Sequence, residues 1–232
     1  MKRWGMLVAA GQSRRMGPLG SKLWLQLHGQ SALSWGFEHF IGSGGWDGGV
    51  VVCRPEEGQE VSRLLAAYGY RDWGITNGGP WRHASVKNGL RWLADHGMGP
   101  DDLVLIHDAA RILVDQALIM RVYTAAAEYH AAIPVIPLVD TVKRVADGTK
   151  YIERTEDRTK LVLAQTPQGF RSALIQEAYM AWGDGVPTDE AQVVEQFGHP
   201  VVLVGGDLDN RKLTTAEDVA WFEWRLKQDD ES

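Results

Sequence analysis

Three short clusters and one isolated lysine hold the residues whose types and spacing could do chemistry. The first is Ala9-Ala10-Gly11-Gln12-Ser13-Arg14-Arg15-Met16-Gly17, with Lys22 a few residues beyond. Small residues in such a turn let backbone N–H groups approach phosphate oxygens, and Arg15 and Lys22 add charge suited to a triphosphate. Neither G-x-x-x-x-G-K-[ST] nor G-x-G-x-x-G is present, so local pattern alone leaves an ordinary basic surface loop equally open. The second cluster is His107-Asp108-Ala109-Ala110-Arg111. Asp108 could hold Mg²⁺ or accept substrate hydroxyls and Arg111 could bind a phosphate, or the two could pair and order the loop. The third is Gly78-Gly79-Pro80-Trp81-Arg82-His83-Ala84-Ser85. Paired glycines admit a flat ligand such as a base, with Ser85 offering a hydrogen bond, although a plain turn and helix cap fits as well. Lys212 lies in Asp209-Asn210-Arg211-Lys212-Leu213-Thr214, between an apolar run and a helix start.

The elements around these clusters place them together. Runs apolar on both faces at 5–9, 49–53, 102–106, 132–135 and 201–204 read as strands of a mostly parallel sheet covered by helices. The first cluster follows the first of these runs and the second follows the third, so both face the crevice beyond the strands' carboxyl ends. Helix signals fill the gaps. Ser31 caps a segment with Leu33, Phe37, Phe40 and Ile41 on one face. Pro55-Glu56-Glu57 opens another, with carboxylates at the positive end of its dipole. Asp115 caps a segment to Tyr129, and Thr215-Ala216-Glu217-Asp218 opens one through Lys227. The fold class expected is α/β, doubly wound and mostly parallel. Residues from about 138 to 163 break the alternation. Thr141–Val145 and Tyr151–Arg154 around Asp147-Gly148 make a hairpin with too few apolar residues for its own core. It is expected to project as an arm and pack on a second subunit, which leaves residues 1–232 as one domain.

Composition narrows the function class. The chain has 232 residues and a formal charge of −6, which disfavours a general nucleic-acid binder. Its single Cys53 permits no internal disulfide or Cys-based zinc site, so a cytoplasmic setting is the expectation. No apolar run is long enough to span a membrane, and the amino-terminal apolar stretch breaks at Gly11 without a signal-peptide cleavage pattern. The ten Trp are read as packing residues rather than as a site.

In this order, the clusters resemble the family of 2-C-methyl-D-erythritol 4-phosphate cytidylyltransferases over almost the whole chain. The resemblance includes Asp140-Thr141-Val142-Lys143, Asp157-Arg158, Thr166-Pro167-Gln168-Gly169-Phe170, Thr188-Asp189-Glu190 and Asn210-Arg211-Lys212-Leu213-Thr214. It implies a Rossmann-like nucleotidyltransferase fold and a homodimer joined by the arm. The reaction it implies is Mg²⁺-dependent transfer of CMP from CTP to methylerythritol phosphate with release of pyrophosphate, a step of isoprenoid precursor synthesis. By position, it makes Arg15, Lys22 and Lys212 catalytic. Ala9, Ala10, Gly11, Ser13, Gly79, Arg82, Ser85 and Asp108 would bind the nucleotide. Asp108, Arg111 and Thr166 would hold the sugar-alcohol phosphate, joined by Thr141, Lys143 and Arg158 from the other subunit's arm, and Asp108 is the candidate metal ligand. Three positions depart from the family pattern: Ser21 replaces the usual Pro before Lys22, Pro80 an acidic residue, and Ile112 a Pro. A ribitol-5-phosphate cytidylyltransferase, a relative using another base, and a non-catalytic nucleotide-binding module are the competing readings.

Overall fold

The computed structural model describes residues 1–11 and 21–230. The chain enters through β1 (Arg3–Val8), and after a small hairpin of β2 (Gln26–Leu27) and β3 (Gln30–Ser31) reaches α1 (Ala32–Gly36), which continues as a π turn over Phe37–Ile41. Strand and helix then alternate through β4 (Gly48–Cys53), α2 (Gly58–Ala67), β5 (Trp73–Asn77), α3 (Arg82–Asp95), β6 (Leu103–Asp108), α4 (Gln116–Tyr129) and β7 (Ala131–Pro137). A separate two-stranded hairpin, β8 (Lys143–Val145) and β9 (Ile152–Thr155), precedes β10 (Val162–Ala164), β11 (Gln168–Arg171), α5 (Ser172–Ala181), α6 (Glu190–Gln196), β12 (Val202–Gly205) and α7 (Ala216–Asp230).

The central sheet runs β5-β4-β1-β6-β11-β7, and β7 also pairs with β10 and with β12. The β1–β4, β1–β6, β4–β5 and β7–β12 pairs are parallel, while β11 lies antiparallel between β6 and β7. Alternation of side chains across the pleat splits the core into two layers. Met6, Val50, Val52, Val104 and Ile106 pack on one face with Val86, Leu90 and Phe170, and Leu7, Val51 and Leu105 pack on the other with Phe37, Phe40, Leu118 and Val122. Burial on both faces explains why these strands read as continuous apolar runs.

Two strands of the sheet carry no such signal. β5 contains Gly74 and Asn77, and β11 has Phe170 as its one large apolar residue. Both owe their state to neighbours rather than to propensity. The helix starts follow the caps: Ser31 accepts from Ser34 N at 3.1 Å, Asp115 from Leu118 N at 2.6 Å, and Asp218 from Thr215 N at 2.8 Å.

Several tryptophans fill space left by glycines. The Trp73 ring lies where a side chain on Gly5 or Gly49 would point, and the Trp92 ring covers Gly74 in the same way. A Cβ on Gly49 would sit 2.5 Å from Trp73 Cε2, well inside van der Waals contact. The hairpin turns through Gly148 at φ +69° and carries a bulge between Arg144 and Val145. Every residue of β8 and β9 is exposed, as are Val139, Tyr151, Val162 and Leu163 around them.

Candidate functional site

A cleft of about 270 Å³ opens at the carboxyl ends of β1 and β6, walled by the turn between β5 and α3. Its lining includes Ala9, Ala10, Gly11, Gly79, Trp81 and Ser85. The end of β1 is fixed there by its neighbours: Ala9 N donates to Val52 O at 2.7 Å, and Ala109 N to Val8 O at 3.1 Å. Gly78 abuts Ala10 so closely that a Cβ would collide with the Ala10 methyl. Ser85 then holds the turn from α3, accepting from Gly79 N at 3.0 Å and donating to Trp81 O at 3.2 Å. Trp81, read with the other tryptophans as core or surface packing rather than as part of a site, is 55% exposed and lines the cleft.

Charge concentrates on the same wall. The described lining holds three cations, Lys22, Arg82 and Lys212, and one carboxylate, Asp108, so the cleft favours an anion. Lys212 Nζ lies 2.6 Å from Asp108 Oδ2, and Arg82 Nε donates to Asp108 Oδ1 at 3.0 Å. Behind Arg82 stands Glu190, fully buried in the first turn of α6, with the Tyr179 hydroxyl donating to it at 3.1 Å. Burial opposes ionisation of Asp108, yet the Arg82 and Lys212 charges outweigh it and hold the carboxyl well below its usual range. Burial likewise works against the Arg82 charge, and Asp108 and Glu190 reverse that, raising its pKa. Lys22 reaches the cleft from a one-turn 3-10 helix, Lys22–Trp24, and its Nζ donates to Leu213 O at 2.8 Å. Lys22 and Lys212 thus approach each other from opposite ends of the chain.

Arg111 and Thr166 adjoin this wall without lining the cleft. The guanidinium paired with Asp108 is Arg82; Arg111 donates instead to Asn210 O at 2.7 Å, so an Asp108–Arg111 pair does not order this loop. The Thr166 hydroxyl accepts from Asp108 N at 3.1 Å and shares a 3.0 Å hydrogen bond with His107 Nδ1. His107 is fully buried against Phe40, and desolvation lowers its pKa to about 4, so the ring is neutral near pH 7. Asn210 donates to Thr166 O at 2.8 Å and completes the network. On the arm, Lys143 Nζ donates to Thr155 Oγ1 at 2.7 Å and Arg158 to Val139 O. Thr141, Lys143 and Arg158 do not line the cleft of their own chain. Ser13 and Arg15 lie outside the described residues.

Sequence reasoning assigns no role in the site to Glu190, Asn210 or Trp81. A buried Glu in a helix's first turn carries no local signature of its guanidinium partner, which lies 108 residues away. The exposed indole does leave a trace, because it sits between paired glycines and a helix start.

No helix among the described residues is long and apolar enough to cross a membrane. Residues 5–228 match the family model for 2-C-methyl-D-erythritol 4-phosphate cytidylyltransferase. The chain is 37% identical to the enzyme of that name from Geobacillus thermodenitrificans, over 94% of each protein. It is 38% identical to the Bifunctional enzyme IspD/IspF of Rhodopseudomonas palustris over 95% of its own residues, and spans 55% of that longer protein. The crystal structure of 2-C-methyl-D-erythritol 4-phosphate cytidylyltransferase from Thermus thermophilus superimposes with a TM-score of 0.74 at 30% identity, covering 98% of this chain and 100% of that one. Cleft, cation cluster, sheet order and these similarities agree: the chain belongs to the 2-C-methyl-D-erythritol 4-phosphate cytidylyltransferase family.

Proposed function

We propose that the protein transfers CMP from CTP to 2-C-methyl-D-erythritol 4-phosphate and releases pyrophosphate. The observation that carries this reading is the meeting of Lys22 and Lys212 in a cleft also lined by Arg82, which is braced by Asp108 and Glu190. The attacking group in such a reaction is a phosphate oxygen, already an anion, so no strong general base is required. The protein must instead align two mutually repelling anions and stabilise charge as pyrophosphate leaves. Lys22 and Lys212 face that task directly, with Arg15 as the third catalytic cation. Neutral, buried His107 serves the framework rather than proton transfer. Ala10, Gly79 and Ser85 form the nucleobase side of the cleft, where Trp81 adds an aromatic surface.

Mg²⁺ is part of this proposal. Among the described residues no group of three His, Cys, Asp or Glu stands ready to cage an ion, and both Asp108 oxygens face cations. That fits a Mg²⁺ carried mainly on the triphosphate, with Asp108 the one carboxylate among the described lining residues. The ion would neutralise charge on the leaving pyrophosphate. A homodimer is also part of the reading. The exposed apolar residues of the arm need a partner, and Thr141, Lys143 and Arg158 would then reach the neighbouring cleft. The test is pyrophosphate release with Mg²⁺, crossing CTP, UTP, ATP and GTP against methylerythritol 4-phosphate and ribitol 5-phosphate. Release confined to CTP with methylerythritol phosphate is expected. Release with another pair would replace the specificity, and silence from folded protein would turn the reading to a nucleotide-binding module.

A further inference from the structure

We propose that Glu57 is a positioning residue, which sets the Lys22 ammonium in the cleft by holding the turn that carries it. Glu57 lies just beyond β4, at the end of the 3-10 turn Pro55–Glu57, and is 7% exposed. Its sequence context suggests a carboxylate at the positive end of a helix, yet its side chain makes no capping hydrogen bond to α2. It turns the other way. Trp24 Nε1 donates to Glu57 Oε1 at 2.6 Å, Ser21 Oγ donates to the same oxygen at 3.3 Å, and the Arg54 guanidinium pairs with it.

These contacts clamp the residues on either side of Lys22. Ser21 opens the turn and Trp24 closes it, with Trp24 N donating to Ser21 O at 3.1 Å. Leu23 is buried in the core beneath. The turn is therefore fastened from below by Leu23 and from the side by Glu57, which leaves Lys22 directed at Leu213 O and the cleft. Glu57 itself does not line the cleft, so it acts on a ligand through Lys22. Burial works against the Glu57 charge, but the hydrogen bonds from Arg54 and Trp24 outweigh it and lower its pKa, so the acceptor is ionised near neutral pH. Ser21 has φ −74°, inside the range to which proline is locked, so a ring there could stiffen the turn without any help from Glu57.

The inference rests on Lys22 being an anion-binding group, which belongs to the proposed function, so its test uses a ligand independent of the reaction. Binding of inorganic triphosphate is measured by calorimetry for the wild type, Glu57→Ala, Lys22→Ala and the double variant, with melting temperatures alongside. Removing a carboxylate near an anion site should tighten binding if charge alone matters. Positioning gives the opposite sign: Glu57→Ala weakens binding about tenfold, the scale of one misplaced charge-assisted contact. The double variant should bind no more weakly than Lys22→Ala, because both changes remove the same contribution. Ser21→Pro in the Glu57→Ala background should recover much of the loss. If Glu57→Ala does not fold, Trp24→Phe removes the Nε1 donor while keeping an aromatic ring, and the same weakening is expected. Wild-type or tighter affinity in these variants, or no triphosphate binding by the wild type, overturns the inference. Turnover with CTP is scored separately: an inactive wild type that still shows this binding pattern removes the proposed reaction and keeps the role of Glu57.

Discussion

Lys212 Nζ is held 2.6 Å from Asp108 Oδ2, although 104 residues separate them in the chain. The contact ties the segment after β12 to the end of β6, and the neighbouring bond from Leu213 N to Ala110 O at 2.8 Å fixes it further. A lysine on a free loop would lose rotamer entropy when it met an anion; this one is ordered before the anion arrives. Preorganised charge of this kind acts on the transition state at little reorganisation cost.

Lys22→Ala and Lys212→Ala should therefore each lower turnover with CTP by about 10²–10³-fold, the range measured when a preorganised charge-stabilising donor is removed. The melting temperature should change little for Lys22→Ala and fall for Lys212→Ala, which takes one of two cations from the buried Asp108 carboxylate. Near-normal rates in both variants would remove the cation cluster from the chemistry.

Arg82 carries more structure than catalysis. It bridges Asp108 and Glu190, and the Glu190 side chain is only 1% exposed. Arg82→Met keeps the bulk but leaves two buried carboxylates facing each other's field. Urea unfolding should show a loss of about 3–5 kcal/mol, the cost of stripping one partner from a buried ion pair. A loss below about 1 kcal/mol would place the pair among weak surface bridges instead.

His107 predicts a pH dependence. Its folded pKa, lowered to about 4 by burial, lies below the ordinary value of 6.5. Between those values the unfolded chain takes up a proton at this ring and the folded chain does not. Stability is thus fully present above pH 6.5 and falls as pH drops toward 4, by at most about 3 kcal/mol in all. Asp108, with its depressed pKa, adds a loss in the same direction as pH falls below its ordinary 3.8. Denaturant unfolding of wild type and His107→Gln from about pH 7.5 to about pH 4.5, a range that crosses the ordinary value of 6.5 and stays above the folded value of about 4, isolates this ring. The stability gap between them should narrow on acidification, and a constant gap would contradict this account.

Sharing of sites through the arm can be tested by mixing defective chains. If Arg158 serves the neighbouring cleft, a hybrid of a Lys22→Ala chain with an Arg158→Ala chain has one site with both defects and one intact. Equal mixing should restore about one quarter of wild-type activity, from half of the dimers carrying one good site each. No recovery after confirmed subunit exchange would confine Arg158 to its own chain.

Much of this arrangement is legible in the chain. The strands through Met6, Val51, Leu105 and Ile133 announce themselves because both faces are buried, and their carboxyl ends mark the cleft. Lys22 and Lys212 can be placed there because each follows a strand of the sheet in the sequence, β1 and β12 respectively. The pairing is harder to read. Asp108 has a cation within three residues, Arg111, yet it selects Arg82, 26 residues away, because α3 delivers that guanidinium to the end of β6. β11 escapes a reading of the sequence because Gln168-Gly169-Phe170-Arg171 has no strand pattern of its own. Its place depends on the slot between β6 and β7, where a side chain on Gly169 would press on Val122.

The tryptophan rings laid over glycines have a bearing on how relatives can diverge. Trp73 fills the hollows above Gly5 and Gly49, and Trp92 the one above Gly74. Enlarging a glycine drives an atom into an indole, and shrinking the indole opens a void, so a change on either side alone meets a penalty. Relatives with a bulkier residue at position 5, 49 or 74 must carry a smaller one at the matching tryptophan. Covariation across an alignment should concentrate on these pairs, far from the cleft, and would register inheritance of a packing solution rather than of a reaction.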